Sequence, residues 1–519
     1  MKQVDKIFSL LCTLIIIGLA SCTKEADPAA LAPVIKGLET EYYLLVNEKL
    51  ALKPVIENEV TSVEWFVNGK KVADTQDFIY TAPSKPGKEN ILFRACNNDN
   101  ITQQTIIITS DKYLGIITSV GQLTPLKTGK KLSEQKSINW EMIEAASPLY
   151  RLSDTESKTP LFVTSKNGTY RLRAVAEDMA DTVIVLVKQQ LGGISPYISE
   201  VFEYLPAPGQ YVNEIPMYSE GDTQETMNAK ALKLIGGSDR YVLTLGGWGG
   251  SITFGFDHTI TNVAGKCDFR VLGNAFGANS NLRPKAPFGG SCEPGIITVG
   301  YDKNKNGKPD DDEWYEIKGS GNFTAENEPW YGFAKEEGND VETYRDYEMT
   351  YYRPETEETD PDYDPEKDGG FYTIKKYLRW RNNKGKEGYK VKNRWHKQTY
   401  YPAWIKEDKI TYKGIRLADN GVNEYKFNPG ANEEGLYYVL YAFRYGYVDN
   451  YPNGFDNAGI DIDWAIDKDG NPANLPGIDF VKVYNGIDKE NSWLGESSTE
   501  VAGAQDLHML GFNIDTIKE

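Results

Sequence analysis

The chain has little histidine, little cysteine and almost no helical periodicity. Its 519 residues hold three histidines, His258, His396 and His508, none spaced from other ligands as a zinc site requires. No Gly-x-Ser-x-Gly elbow occurs either, so the frames of zinc and serine hydrolases are both missing. Positive charge is short as well: 57 Lys and Arg stand against 75 Asp and Glu, a formal net charge of −18. Phosphate recognition needs clustered cations, so this balance excludes nucleic acid as the expected partner. After the first 22 residues no apolar run approaches the roughly 20 residues that span a bilayer. No stretch isolates two carboxylates in a frame for glycoside hydrolysis. The expectation is a binding protein and not an enzyme.

What is present starts at the N-terminus. MKQVDKIFSLLCTLIIIGLASC carries Lys2 and Lys6, an apolar run from Ile7 to Ala20, and Cys22 after Leu-Ala-Ser, the build of a lipoprotein signal peptide over residues 1–22. Its ending resembles a bacterial lipobox, which implies lipidation of Cys22 and a membrane anchor. The following TKEAD resembles surface-export signals of Bacteroidota lipoproteins and implies an outer-membrane location facing the cell exterior. Cys96, Cys267 and Cys292 remain in the mature chain. A disulfide between Cys267 and Cys292 is chemically reasonable in an oxidising compartment, with unpaired buried thiols as the alternative.

Residues 23–34 read as a short tether. Alternating apolar and polar residues with turn signals between them then predict strands. SVEWFVNGKKVADTQDFIYTAPSKPGKENILFRACNN places Trp65 on a strand and Asn68-Gly69 in a hairpin turn. The pattern recurs further on, where Trp140 answers Trp65, Phe162 answers Phe78 and Gly168 answers Gly87. These are two copies of one small sandwich, over 35–112 and 113–190, resembling the PKD-like and immunoglobulin-like modules of bacterial surface proteins. From 191 to 519 glycine and aromatics rise, and TQETMNAKALKLI (223–235) is the one predicted helix. The predicted fold is all-β: two small immunoglobulin/PKD-like sandwiches followed by a large, jelly-roll-like β-sandwich with a long insertion. Residues 338–410 form that inserted arm, acidic first and then basic and aromatic.

Six blocks lie in order along the large domain: PAPGQYVN (206–213), GGWGGSITFGFDHTI (246–260), DFRVLGNAFG (268–277), CEPGIITVGYDKNKNGKPDDDEWYEIKGS (292–320), GIDIDWAIDKDGNPANLPGIDFVKVYNG (459–486) and LGESSTEVAGAQDL (494–507). Together they resemble a family of Bacteroidota cell-surface lipoproteins with PKD-like repeats, of the kind encoded among vitamin B12 (corrinoid) uptake genes. The resemblance implies ligand capture at the cell surface, with a corrinoid as ligand and a TonB-dependent outer-membrane transporter as partner. It supplies no ligand-contacting residues, and Cys292 departs from the Ser-Glu-Pro-Gly usual in the family.

Two constellations carry candidate chemistry. YDKNKNGKPDDDEWYE, from Tyr301 to Glu316, fits the calcium-loop pattern with Asp302, Asn304, Asn306, Asp310 and Glu313 as side-chain ligands and Lys308 offering its carbonyl. A hard dication wants six to eight oxygens, and alternate side chains of a tight loop converge on one point. Strand-like flanks place this loop at a β-hairpin, and calcium there is expected to be structural; a solvated acidic turn is the plain alternative. The second constellation is aromatic and basic: Trp330, Arg379, Trp380, Arg381, Arg394, Trp395, His396 and Trp404. Flat apolar faces beside guanidinium donors suit a large planar ligand such as a corrinoid, and suit a glycan nearly as well. Trp65, Trp140 and Trp248 read as packing residues.

Overall fold

The computed structural model describes residues 31–190, 192–237, 241–278, 283–367, 370–427, 437–491 and 495–517. Cys22 and the leader lie outside these residues. The chain divides into two compact units, one ending at Lys112 and the other spanning Tyr113–Glu519. Among the described residues no helix is long and apolar enough to cross a membrane.

The first unit is a small sandwich. Its five-stranded sheet runs Glu41–Leu45, Ile101–Asp111, Gly87–Cys96, Ser62–Val67, Lys70–Ala73, and a two-stranded ladder of Lys49–Leu52 with Phe78–Thr81 faces it. The buried positions of Gly87–Cys96 alternate, Ile91, Phe93 and Ala95 pointing inward, as a half-covered antiparallel strand requires. Trp65 fills the centre against Phe78 and Phe93, and its indole N–H donates to the Thr75 carbonyl at 3.0 Å. Asn68 and Gly69 both take positive φ at the hairpin, the geometry the Asn-Gly turn predicts.

The second small sandwich repeats this plan within the second unit. Leu114–Ser119, Met179–Lys188, Gly168–Ala176 and Asn139–Glu144 form one sheet, and Thr124–Pro125, Leu161–Thr164 and Tyr150–Ser153 the other. Trp140 again sits in the core and donates to a carbonyl of the following turn, Ser157 O at 3.0 Å. Gly168 opens its strand as Gly87 opens the corresponding one. In both sandwiches the first strand of the main sheet pairs in parallel with the last, Glu41–Leu45 with residues 107–111 and Leu114–Ser119 with residues 183–188.

The second sandwich is joined to the large body rather than strung loosely before it. The Thr259 amide donates to the Gly121 carbonyl (2.8 Å), Ser165 bonds Thr261 (3.0 Å), and Arg151 pairs with Asp463 (3.0 Å). The body is built on a six-stranded antiparallel sheet in the order Glu200–Leu205, Ser251–Thr261, Gly477–Asn485, Gly295–Gly300, Trp314–Ile317, Ala465–Ile466. This sheet is covered on both faces. Ile297 and Val483 face one core with Met227, Ala231 and Ile235 of the helix Gln224–Ile235. Their neighbours Ile296 and Tyr484 face a second core with Trp330, Val439 and Phe443. The helix begins on Thr223, whose hydroxyl accepts from the Thr226 amide in a capping box, one residue from the predicted start.

The inserted region is a packed sheet and not a projecting arm. Glu387–Asn393, Tyr372–Asn382, Tyr344–Tyr352 and Lys409–Arg416 pair in that order. Its inner face brings Tyr347, Met349, Tyr351 and Leu378 against Trp248. The glycines flanking Trp248 make this possible: Gly246 has φ +68°, and a Cβ there would lie 2.0 Å from the Ala207 carbonyl oxygen. Trp248 thus packs, its N–H donating to Ile415 O at 3.2 Å.

Cys267 and Cys292 are not bridged. Both are free, buried thiols in separate apolar clusters, Cys267 with Leu507 and Ile514 and Cys292 with Leu440 and Ala442. Burial holds the Cys267 thiol up at about 12, so it stays a neutral, unreactive packing group.

Candidate ligand cavity and acidic cluster

The predicted ligand residues do not form one surface. Trp330 is 0% exposed and donates its N–H to Ala442 O inside the second core; with no surface to offer, it is a core residue and not a ligand contact. Trp404 is 7% exposed, stacks on Tyr204 and donates to Gln224, and the same correction applies. Arg379, Trp380 and Arg381 follow one another on a strand, so period-2 alternation sends Trp380 to the face opposite the arginines. Arg379 pairs with Glu387 at 2.8 Å and lies over the Tyr352 ring. The Trp380 ring instead covers Gly388 and packs beside the Tyr347–Leu378 core. Only Arg394 and Trp395 keep the predicted arrangement: the guanidinium lies 4.8 Å from the Trp395 ring centre, Phe371 adjoins, and Trp395 is 46% exposed. His396 turns away from them, its Nδ1 3.1 Å from Glu214 and its ring edge-on to Tyr211.

The calcium-type loop has the predicted local shape. Between the strands Gly295–Gly300 and Trp314–Ile317, Asp302 accepts from the amides of Asn306 (3.0 Å) and Gly307 (2.8 Å). Asn304 and Asn306 both donate to Asp310 Oδ2, at 2.6 and 2.8 Å. Glu313, 1% exposed, accepts from the amides of Lys303 (2.7 Å) and Asp310 (3.2 Å). The Lys308 amide donates to Asn306 Oδ1 (2.8 Å). Five of the predicted oxygen-bearing side chains therefore turn inward on one loop. Asp302, Lys305 and Gly307 also wall a cleft of about 650 Å³ together with Gly121 and His258, at the seam with the second sandwich.

Three carboxylates that the sequence reading did not single out come together elsewhere. Oxygens of Glu293, Asp449 and Glu500 lie within 4.8 Å of one another, the one such acidic group of three among the described residues. Glu293 and Glu500 line a cavity of about 640 Å³. Each carboxylate is placed by backbone it touches. Asp449 Oδ1 accepts from the Asn274 and Ala275 amides, both at 2.7 Å, and its Oδ2 from the Glu500 amide at 3.0 Å. Glu293 accepts from the Ser498 amide (3.0 Å) and the Ser291 hydroxyl (3.0 Å). Gly273 allows the approach, because a Cβ there would sit 2.3 Å from Asp449 Oδ1. Glu500 is carried on the short strand Glu500–Val501 paired to Leu243–Thr244.

Crowding of like charges in a desolvated place favours protons on such groups. Burial first, and then the Asp449 charge, pushes Glu293 up to about 8. Burial raises Asp449 to about 7 against the pull of its three amide donors. Glu500 is raised well above the usual range by burial and by both neighbours. The rest of the lining is mixed: Tyr211, Phe276, Tyr437 and Tyr438 supply rings, and Gln210, Asn274, Asn491, Glu496 and Ser498 supply polar groups. No Lys, Arg or His is among the described residues that line it. The arrangement can take up a cation or a ligand rich in donor groups.

No protein-family model and no curated protein matches this chain. Several solved structures are similar over part of it. A chimeric titin Z1Z2 functionalized with a KLER exogenous peptide from decorin is 14% identical, covering 31% of this chain and 100% of its own at a TM-score of 0.15. The insect immune protein hemolin is also 14% identical, covering 32% of this chain and 48% of its own at 0.15. Fibronectin(III)-like modules of Clostridium thermocellum CbhA are 15% identical, covering 15% of this chain and 95% of their own at 0.14. At these scores the likenesses carry no argument about function.

Proposed function

We propose that the chain is a surface-exposed outer-membrane lipoprotein, anchored through Cys22, that captures a corrinoid in the 640 Å³ cavity for a TonB-dependent transporter. One observation supports the reading above the others: sequence blocks far apart in the chain wall the same cavity. Gln210 and Tyr211 come from PAPGQYVN, and Asn274 and Phe276 from DFRVLGNAFG. Glu293 comes from CEPG, and Glu496, Ser498 and Glu500 from LGESSTEVAGAQDL. Four of the six blocks that carry the resemblance to corrinoid-uptake lipoproteins thus contribute to the wall of one cavity. Its volume lies in the range of roughly 300–1,000 Å³ typical of small-molecule sites, so a corrinoid would seat by one edge. Tyrosine rings would meet the macrocycle, and carboxylate and amide oxygens its amide-bearing rim. The same rings and acceptors suit a sugar, which makes a glycan the second reading. Calcium in the Asp302–Glu313 loop is proposed as a structural cofactor, on the inward convergence of its side chains.

The test is calorimetric titration of cyanocobalamin into the protein lacking residues 1–22, beside the Tyr211→Ala variant. Saturable binding that Tyr211→Ala weakens at least tenfold supports the corrinoid reading. No heat with cobalamin, together with retardation on polysaccharide gels, would transfer the cavity to glycans. Failure with both ligand classes would sink the proposal.

A further inference from the structure

We infer that the second small sandwich receives an extended strand of a partner protein, apolar and basic at alternate positions, in a cleft between Asn139–Glu144 and Tyr150–Ser153. The two small sandwiches differ at this place. In the first, Ser62–Val67 pairs on one side with Gly87–Cys96 and on the other with the strand that follows it, Lys70–Ala73. In the second, Asn139–Glu144 pairs only with Gly168–Ala176, and the following strand, Tyr150–Ser153, crosses to Leu161–Thr164 of the opposite sheet. Two strand edges therefore border one opening of about 580 Å³. Trp140, Met142, Tyr150 and Leu152 line it, and Val263 and Ala264 of the large body add to its wall.

The backbone groups of both edges turn toward this opening. The Trp140 amide donates to Thr155 O at 2.8 Å, away from its partner strand, and ladder alternation turns Met142, two residues on, the same way. On the other border the Ser165 amide donates to Leu149 O at 3.1 Å, next to the Tyr150–Thr164 pair. Tyr150 and Leu152 therefore also turn their peptide groups away from Leu161–Thr164. Among the described residues no bond outside its own ladder reaches the Met142 or the Leu152 N–H. An extended chain answers such edges with its own N–H and C=O groups, as in β-strand addition. Met142, Tyr150 and Leu152 pack on the sandwich core, so the inward side chains of the added strand should be apolar. Its outward side chains would meet Asp154 and Glu141, the latter also 3.4 Å from Arg173, whereas Arg151 is engaged by Asp463. That balance favours lysine or arginine. The first sandwich carries such a strand in place: Lys70–Ala73 reads Lys-Lys-Val-Ala, and its Lys71 pairs with Glu64 at 3.0 Å. The cleft does not depend on which ligand fills the 640 Å³ cavity, so it stands or falls apart from the proposed function.

The experiment uses the protein lacking residues 1–22 and labelled heptapeptides in which lysine alternates with valine, isoleucine or tyrosine. Fluorescence anisotropy reads binding, and hydrogen exchange resolved to single amides reads its place. Binding should saturate for at least one peptide and slow exchange of the Met142 and Leu152 amides at least tenfold, leaving Ser62–Val67 unchanged. Methylating the central backbone nitrogens of that peptide, which keeps its charge, should weaken binding at least tenfold. Leu152→Pro removes an edge donor at a position where proline is tolerated, and should weaken binding several-fold in protein shown to be folded by circular dichroism. Failure of all three peptides to bind overturns the inference, and so does binding indifferent to backbone methylation. Slow exchange of both amides in the peptide-free protein would show a cleft already closed and overturn it too. Dimers that protect the same two amides would give the cleft to a second copy and refute the partner strand.

Discussion

Gly246→Ala should cost far more than its one added methyl suggests, and a comparison with Gly385→Ala isolates the reason. Both glycines hold positive φ, +68° and +80°, so alanine at either pays the left-handed penalty of roughly 1–2 kcal/mol. Around Gly385 nothing lies within 4 Å of the added Cβ, and the cost should end there. At Gly246 the Cβ would stand 2.0 Å from Ala207 O and 3.0 Å from a Val212 methyl. A backbone oxygen cannot rotate away, so the segment 207–212 must move, and it carries Gln210 and Tyr211 of the cavity wall. A loss of about 4 kcal/mol or more is expected, in the range reserved for specific structural breaks. Urea denaturation followed by tryptophan fluorescence reads the difference as the shift in midpoint between the two variants. Equal shifts would refute the close backbone approach as the reason for the Gly-Gly-Trp-Gly-Gly segment. A Gly246→Ala variant that still bound its ligand normally would refute the link from that turn to the cavity.

Other outcomes follow from the packing and the charges. Trp330→Ala should lose about 3–5 kcal/mol of stability, as buried tryptophans do, while Trp395→Ala stays within about 0.5 kcal/mol; thermal denaturation of the pair separates core from surface. His258 is buried between Asp506 and Asp257, at 2.9 Å from each. Burial opposes its charge, but the two carboxylates outweigh it and raise its pKa above the ordinary 6.5. Its contribution to stability is therefore complete below about pH 6.5 and lost as pH rises through the higher folded value. A stability profile from pH 6 to 9 should fall less steeply in His258→Gln than in the parent, the remaining slope coming from the buried Glu293 and Asp449 carboxyls, which titrate over the same range. Chelator should lower the melting temperature of the parent, and Glu313→Gln should reduce that response; at a hundred-fold excess of calcium over Kd the linkage is worth about 2.7 kcal/mol. An unchanged melting temperature in chelator would remove calcium from the Asp302–Glu313 loop.

How much of this was legible in the sequence depends on the range of the interaction. Alternation and turn residues are local, so Trp65, Trp140, the Asn68-Gly69 hairpin and the helix Gln224–Ile235 could be read directly. The loop from Asp302 to Glu313 was legible for the same reason. The inserted region was misread because composition was weighed ahead of period: Arg379, Trp380 and Arg381 are neighbours in sequence, and a strand separates neighbours onto opposite faces. Trp330 was hidden differently. It precedes the short helix Tyr331–Glu337, too brief to show a periodicity, and its burial depends on Phe443 and Ala442 more than a hundred residues away. The acidic trio could not be assembled from spacing at all. Glu293 and Glu500 lie in blocks that carry the family resemblance, whereas Asp449 lies in none of them. Only the folded body brings the three together.

The parallel pairing of first and last strands in each small sandwich has a mechanical consequence. Five residue pairs join Glu41–Leu45 to the strand that leaves the first module, and six join Leu114–Ser119 to the strand that leaves the second. Because entering and leaving strands run the same way side by side, traction on the two ends of a module pulls them past each other lengthwise. Every rung of the ladder is then strained together, and none can open before its neighbours as in an unzipping hairpin. A module wired in this way resists stretching along its axis with its whole ladder at once.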